Sequence, residues 1–281
     1  MAIPDRGSVE YPEFFATERT ALLTLLGGLE SADWQRDTPC PGWSVLGLAC
    51  HLIGDDMGIL ARSRDGYFGT APPPGLVGDG FARWLDDLQA QWVQATRRIS
   101  PRLVVDLLGW TGPQVVAHYQ AQDPTARTAA VSWAGEGVVP VWLDQARELT
   151  EFWIHRQQLV EAVGADPALD PETTGAVLDA LRWAYPYRLG AVGAPGDTVA
   201  IEVRGPVQRT WTLRRGQTEW EFGAAGERET GRLVLETDKA WRLLTNNLDP
   251  AAQRGLSCTG DAEVVRILRS TRAIIGVPNS E

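Results

Sequence analysis

The chain has 281 residues, of which 44% are hydrophobic and 12 are tryptophan, so it is long enough for two domains and apolar enough for sizeable cores. A formal net charge of −10 argues against nucleic-acid or anionic-membrane partners, which favour basic patches. No apolar run approaches the roughly 20 residues that span a bilayer, and the N-terminus lacks the pattern of a signal peptide. Three cysteines form neither an even framework nor a CxxC pair. We therefore predict a cytoplasmic protein with reduced cysteines.

The first 165 residues or so are predicted to be helical. Apolar residues recur at helical spacing, and Ser44 stands where a helix is expected to start. Four principal helices joined by loops suggest a bundle, whose core is a natural place for a metal. The predicted helices cover residues 14–29, 45–56, 81–99 and 141–163, with shorter helical pieces over 101–119 and a loop over 66–80.

The pattern changes after a segment rich in Pro and Asp at residues 164–171. Short extended runs separated by Gly, Pro and charged turns are typical of a meander of strands, and helices on one face of the sheet would give a small α+β domain. We therefore predict two domains, residues 1–168 and 169–281. The predicted strands cover residues 198–203, 208–214, 219–222 and 232–235, with helices at 174–185, 238–244 and 261–275.

Two of the three histidines, His51 and His155, lie in predicted helices of the bundle. Glu151 precedes His155 by four residues, and on a helix that spacing places both side chains on one face, about one turn apart. One imidazole from one helix and a Glu/His pair from another give a His₂Glu set, typical of a catalytic zinc site with an open position. Two alternatives stay open: a hydrogen-bonded core histidine at position 51 and an ordinary surface pair at Glu151 and His155.

An ion held by three protein ligands leaves room for water or a substrate thiol, and Zn²⁺ accepts both readily. A thiol bound to such an ion loses its proton near neutral pH, which generates a nucleophile. Zinc is therefore the divalent metal that we expect for this ligand set.

Other polar residues are weaker candidates. For His118 we favour a helix-surface or core residue over an acid or base near the metal. Asp55 and Asp56 follow His51 by about one turn and are candidates to orient a ligand, but solvated or capping acids are the interpretation that we favour. Cys40, between two prolines, is a conceivable metal or redox residue, although a structural role is favoured. Cys50 is expected to be buried.

Nucleotide and serine-hydrolase signatures are missing. The sequence contains no GxxxxGK[ST], GxGxxG or GxSxG pattern. Nucleotide-dependent chemistry and a serine-hydrolase nucleophile therefore have no support.

An ordered set of motifs resembles the mycothiol-dependent maleylpyruvate isomerase family. The motifs are Thr38-Pro-Cys-Pro-Gly-Trp-Ser44, then Leu48-Ala-Cys-His-Leu-Ile-Gly54, then Glu151-Phe-Trp-Ile-His155. The resemblance covers most of the chain. It implies an N-terminal DinB-like four-helix bundle that binds a metal and a smaller C-terminal α/β domain.

The resemblance also implies chemistry. In that family a divalent metal, usually zinc, is held by a His on the second helix and an E-x₃-H on the fourth, which here are His51, Glu151 and His155. The thiol cofactor is mycothiol. In the isomerase its thiolate adds to a cis double bond conjugated to a carbonyl, and rotation and elimination return the trans isomer. Related members are thought to transfer the thiol to electrophiles.

The sequence departs from the family pattern at two places. Members often show Leu-Thr-Gly-Arg before the closing helix, and a C-terminal arginine is implicated in isomerase activity. Leu244-Thr-Asn-Asn247 stands here instead, and neither Arg242 nor Arg254 matches that position. The frequent Asp three residues after the second ligand His is replaced by Gln158.

From this resemblance we predict a metal-dependent, thiol-using enzyme, either a mycothiol S-transferase or a cis–trans isomerase. Its partners would be a low-molecular-weight thiol and an electrophilic small molecule. One alternative is a non-catalytic small-molecule-binding protein on the same bundle, with tryptophans lining an apolar pocket. Another is a metal-dependent hydrolase in which water occupies the open position.

Overall fold

A computed structural model of the chain describes residues 3–5, 7, 9–76, 78–167, 169–226 and 228–274. It divides into two compact units. The helical unit contains residues 10–123 and 151–168, and the sheet unit contains residues 1–9, 124–150 and 169–274. We keep the predicted division between residues 168 and 169 as a proposal about independently folding domains.

The helical unit is built from long helices. They are α1 (Tyr11–Gly27), α2 (Val45–Ile59), α3 (Gly78–Thr96), α4 (Pro101–Ala121) and the C-terminal part of α5 (Val141–Val163). Short 3₁₀ and π segments cover Asp33–Gln35 and Leu60–Arg64. Helix α2 packs against α3 and α4, and α4 packs against α1. The predicted helices over 14–29, 45–56, 81–99 and 141–163 are thus confirmed, with shifted ends for all but the last.

Helix α4 corrects the prediction of shorter pieces over residues 101–119. It is one helix of 21 residues, although Pro113 lies within it. Proline inside a helix costs about 3 kcal/mol, but Pro113 is exposed and the opposite face, with Val104, Leu108 and Val115, is fully buried. Burial of such side chains contributes roughly 1.5–3 kcal/mol each, which outweighs the loss at the proline.

The sheet unit holds a five-stranded mixed sheet. Its strands are β3 (Asp197–Arg204), β4 (Arg209–Arg215), β5 (Trp220–Phe222), β6 (Arg228–Glu236) and β7 (Ser257–Gly260), in the order β5-β4-β3-β6-β7. The predicted meander is wrong, because β6 pairs in parallel with β3 rather than beside β5. Strand β7 was not predicted. Strand β3 is the central strand of the sheet, and its residues 197–201 are all buried.

Short elements complete the sheet unit. A two-stranded ladder of β1 (Arg127–Thr128) and β2 (Val139–Pro140) precedes α5. Helices α6 (Pro171–Leu181) and α7 (Ala184–Leu189) replace the single predicted helix at 174–185, and α8 (Thr237–Leu244), α9 (Pro250–Arg254) and α10 (Ala262–Ser270) follow. The mixed fold class, helical at the N-terminus with a C-terminal sheet, is confirmed. No helix among the described residues is long and apolar enough to cross a membrane.

Candidate metal centre

Helix α2 supplies the first candidate ligand. Ser44 caps the helix, since its hydroxyl accepts a hydrogen bond from the backbone N–H of Gly47 at 3.3 Å. The helix therefore begins at Val45 and carries His51 almost two turns later, with only 6% of its side chain exposed.

Helix α5 supplies the other two. The Nε2 atom of His155 lies 2.9 Å from Oε1 of Glu151, as the i,i+4 spacing requires, and Nε2 of His51 lies 3.4 Å from the same oxygen. The imidazole rings of His51 and His155 meet edge to face with centroids 4.8 Å apart. One ligand atom from each of the three residues lies within 4.8 Å of the others. The structure brings the three predicted site residues together.

The three side chains differ in exposure. Glu151 keeps 40% of its side chain exposed, against 6% for His51 and 12% for His155. A small molecule therefore has access to the cluster on the side of the carboxylate, while the imidazoles are held by the helices.

The charges within the cluster are mutually dependent. Burial disfavours the ionised form of Glu151, but the adjacent His155 and His51 outweigh it and hold the pKa of that carboxyl well below its ordinary value. Burial likewise opposes the charged imidazolium, but Glu151 and Cys40 raise the pKa of His155 well above its ordinary value. The metal-free cluster is thus an ionised carboxylate beside a protonated imidazole.

Two glutamine side chains contact the Nδ1 atoms of the two imidazoles. Gln89 on α3 lies with Oε1 3.2 Å from Nδ1 of His51, and Gln158 on α5 lies with Oε1 2.7 Å from Nδ1 of His155. The Gln158 contact follows from a spacing of one helical turn. Nothing local in the sequence indicated Gln89, which is 38 residues from its partner.

The loop before α2 also reaches the cluster. The Sγ atom of Cys40 donates to Oε1 of Gln158 at 3.1 Å and lies 3.9 Å from Nδ1 of His155. The indole of Trp43 has its centroid 4.9 Å from that of His51. The Pro-Cys-Pro-Gly-Trp segment thus packs beside both imidazoles, and Cys40 contacts the outer nitrogen of His155.

Asp56 is buried and Asp55 keeps only 13% of its side chain exposed, and both contact other side chains, so the interpretation as solvated or capping acids is wrong. An oxygen of Asp55, Oδ2, lies 3.1 Å from Nε2 of His51, and burial raises the pKa of this carboxyl against the opposing effect of His51. Asp56 is fully buried on another face of α2, where it pairs with Arg19 and accepts a hydrogen bond from Thr111.

His118 and Cys50 lie outside the ligand set, as expected. The Nε2 atom of His118 contacts the hydroxyl of Ser63 at 2.8 Å and the side-chain nitrogen of Gln122 at 3.1 Å. Cys50 is 2% exposed.

In the sheet unit, Asn246 explains part of the departure from the family pattern. Its φ of 59° lies in the left-handed region, where glycine is favoured and Asn is the best-tolerated substitute. Its side-chain oxygen accepts from Nε of Arg272 at 3.2 Å, while Asn247 donates to Thr245. Arg242 is paired with Asp238.

Comparison with known proteins agrees with this description. Residues 15–160, just over half of the chain, match the family model described as the mycothiol maleylpyruvate isomerase N-terminal domain. No curated protein matches the sequence significantly. Two solved structures, mycothiol-dependent maleylpyruvate isomerase and a histidine-to-alanine mutant of it, share the fold with a TM-score of 0.53. Each is 12% identical and aligns over 92% of this chain and 95% of its own. The chain belongs to the mycothiol maleylpyruvate isomerase family, which is named for an enzyme.

Proposed function

We propose that the protein is a mycothiol-dependent enzyme whose activity resembles that of maleylpyruvate isomerase, and that His51, Glu151 and His155 hold a divalent metal. The observation that carries the proposal is the convergence of two Nε2 atoms on one carboxylate oxygen, at 3.4 and 2.9 Å, in a chain of this family. S-transfer to an electrophile and cis–trans isomerisation both start from the same attack by a thiolate, so the metal site is common to both.

The donor set fits zinc. Two imidazole nitrogens and one carboxylate oxygen are a known three-ligand set of catalytic zinc sites. Tetrahedral ligands at about 2.0–2.1 Å from zinc lie roughly 3.4 Å from one another. The two separations from Oε1 of Glu151, 3.4 and 2.9 Å, are close to that value, and all three ligand atoms lie within 4.8 Å of one another.

The residues have distinct parts in the proposed reaction. When bound, a divalent metal supplies Lewis acidity that lowers the pKa of a coordinated thiol. His51, Glu151 and His155 would bind the ion, and α2 and α5 hold these side chains together. Asp55 Oδ2 lies beside Nε2 of His51 and receives no hydrogen bond from the described residues, so this buried oxygen would be available to accept a thiol proton.

Isomerisation requires no net oxidation. The thiol loses its proton, its sulfur forms a bond to one carbon of a cis double bond conjugated to a carbonyl, and the electron pair of that double bond moves toward the carbonyl. Rotation about the resulting single bond and cleavage of the carbon–sulfur bond return the trans alkene and the thiolate. In S-transfer the carbon–sulfur bond is retained, and another group leaves the electrophile.

The experiment that tests the function combines metal analysis with turnover. Protein purified without chelator is expected to contain about one equivalent of divalent metal, and to convert maleylpyruvate to its trans isomer only when mycothiol is present. Conversion of a chloronitroaromatic electrophile with mycothiol, but not of maleylpyruvate, would favour the S-transferase.

Two outcomes would overturn the proposal. Turnover of an ester or amide without any thiol would indicate a hydrolase, and tight binding of a small molecule by metal-free protein without turnover would indicate a binding protein. Cytoplasmic location is part of the proposal, supported by three cysteines that are all free thiols.

A further inference from the structure

The outer nitrogen of each candidate ligand histidine faces an amide, not a carboxylate. Nδ1 of His51 meets Oε1 of Gln89 at 3.2 Å, and Nδ1 of His155 meets Oε1 of Gln158 at 2.7 Å. An amide oxygen can only accept, so both contacts require a proton on Nδ1. A neutral imidazole protonated on Nδ1 has its lone pair on Nε2, which is the atom that lies against Glu151.

The orientation of the Gln89 amide is set by a second contact. Its Nε2 donates to Oδ1 of Asp55 at 3.3 Å, which leaves Oε1 facing His51. Helix α3 comes close enough to α2 because Gly54 has no side chain: a Cβ there would lie 2.7 Å from the indole nitrogen of Trp92. That nitrogen donates to the carbonyl of Cys50 at 2.8 Å, and Trp92 lies about one turn after Gln89 on α3.

Other contacts orient the side-chain carbonyl of Gln158. It accepts from Nδ1 of His155 and also from Sγ of Cys40 at 3.1 Å. Thr38 holds the Cys40 loop, because its hydroxyl donates to the carbonyl of Trp43 at 2.8 Å and accepts from the N–H of Cys40 at 3.2 Å. Nδ1 of His155 and Sγ of Cys40 both donate to the Gln158 oxygen, and the Gln89 amide accepts from His51 and donates to Asp55.

We propose that Gln89 and Gln158 are positioning residues that fix the metal-binding tautomer of His51 and His155, and that position 89 requires an amide because its nitrogen donates to Asp55. The inference rests on the proposed function, since it concerns the same ligand set. Gln89 and Gln158 carry no charge, so they offset less of the metal's charge than carboxylate partners would.

The test uses cobalt(II) alone as the probe, with affinity measured by competition against a chromophoric chelator. Gln89→Met and Gln158→Met remove the acceptors at similar volume and are expected to weaken cobalt binding about 10- to 100-fold. Gln157→Met is the matched control on the same helix. The Gln157 amide is buried and makes no hydrogen bond with the described residues, so this variant is expected to bind cobalt like the wild type.

A carboxylate variant tests the part of the Gln89 amide. Gln89→Glu keeps an acceptor for Nδ1 of His51 but places a second carboxylate against Asp55, so it is expected to bind cobalt more weakly than the wild type. The double variant Gln89→Glu/Asp55→Asn exchanges amide and carboxylate at unchanged net charge and is expected to restore binding.

A spectroscopic readout reports the tautomers directly. Cobalt-loaded wild type is expected to show two exchangeable, paramagnetically shifted N–H resonances, one for each Nδ1 proton. Each methionine variant is expected to lose the resonance of its own histidine through faster exchange. A packing defect alone would not select one resonance.

The outcomes are distinct. If both methionine variants bind cobalt like the wild type and keep both resonances, or if Gln89→Glu binds cobalt as tightly as the wild type, the inference fails while the proposed function stands. If the wild type binds no cobalt or zinc, the metal site fails, and the inference fails with it.

Discussion

One ligand cluster and two buried ion-pair clusters share helices α2 and α5 and differ in what their charges contact. The ligand cluster consists of His51, Glu151 and His155. The ion-pair clusters consist of Arg19 with Asp56 and Thr111, and of Arg156 with Glu18. On a helix, neighbouring residues point about 100° apart. Asp55 on α2 thus lies against the ligand cluster and His155 on α5 belongs to it. Their neighbours Asp56 and Arg156 belong to the ion-pair clusters.

The difference lies in how fully the carboxylate oxygens are hydrogen-bonded. In the ion-pair clusters both oxygens of Asp56 and of Glu18 accept from a guanidinium, and Arg19 also lies 3.6 Å from the ring centroid of Phe152. In the ligand cluster two imidazoles converge on one oxygen of Glu151, and Oδ2 of the adjacent Asp55 receives no hydrogen bond from the described residues. A carboxylate paired at both oxygens holds the helices together, whereas an acceptor oxygen without a donor leaves capacity for a ligand.

The largest expected effect is the loss of metal binding in His155→Ala. Removing one of three ligands is expected to weaken zinc or cobalt affinity by more than the roughly 10- to 100-fold that an outer contact costs, with loss of thiol-dependent turnover. Metal analysis after gel filtration measures it. Stoichiometric metal in this variant would contradict the ligand assignment.

The matching change in the ion-pair cluster is Asp56→Ala. It leaves the buried Arg19 guanidinium without its partner, and breaking such a pair costs about 3–5 kcal/mol of unfolding free energy. Urea unfolding followed by far-ultraviolet circular dichroism measures the loss. The folded variant is expected to bind cobalt as before; selective loss of metal without loss of stability would erase the distinction between the clusters.

The pH dependence of metal binding sharpens the comparison. Because Glu151 raises the pKa of His155, metal must displace a proton near neutral pH. Affinity is expected to rise with pH, by up to about tenfold per unit for one displaced proton, and to level off above the raised pKa. The lowered pKa of Glu151 keeps that ligand ionised throughout. Calorimetry in buffers of different ionisation enthalpy counts the protons, and a pH-independent affinity would contradict the protonated imidazole.

The smallest effect is expected for His118→Ala. This histidine contacts Ser63 and Gln122 and is only partly buried, so the unfolding free energy should change by about 0.5 kcal/mol. Cobalt affinity should stay at the wild-type value. A marked loss of metal would place His118 in the site after all.

Sequence-based expectations succeeded where the signal is local. The N-cap at Ser44 and the i,i+4 pair of Glu151 and His155 are contained within one or two helical turns. They failed where packing or strand pairing decides the structure. Helix α4 continues through Pro113 because its other face is buried. Strand β6 pairs with β3 through residues about 30 positions apart, and no local pattern indicates that pairing.

By itself the sequence determined the ligand types, their places on helices and, through the order of three motifs, the family. Only the tertiary structure decided which acid faces the imidazoles, since Asp55 and Asp56 are adjacent and differ only in the direction that α2 gives them. It also decided the partners of both Nδ1 atoms. Gln89 reaches His51 because α3 packs closely on α2 at Gly54. A contact between two helices is not marked by any residue spacing within either helix, so the sequence pattern does not reveal it.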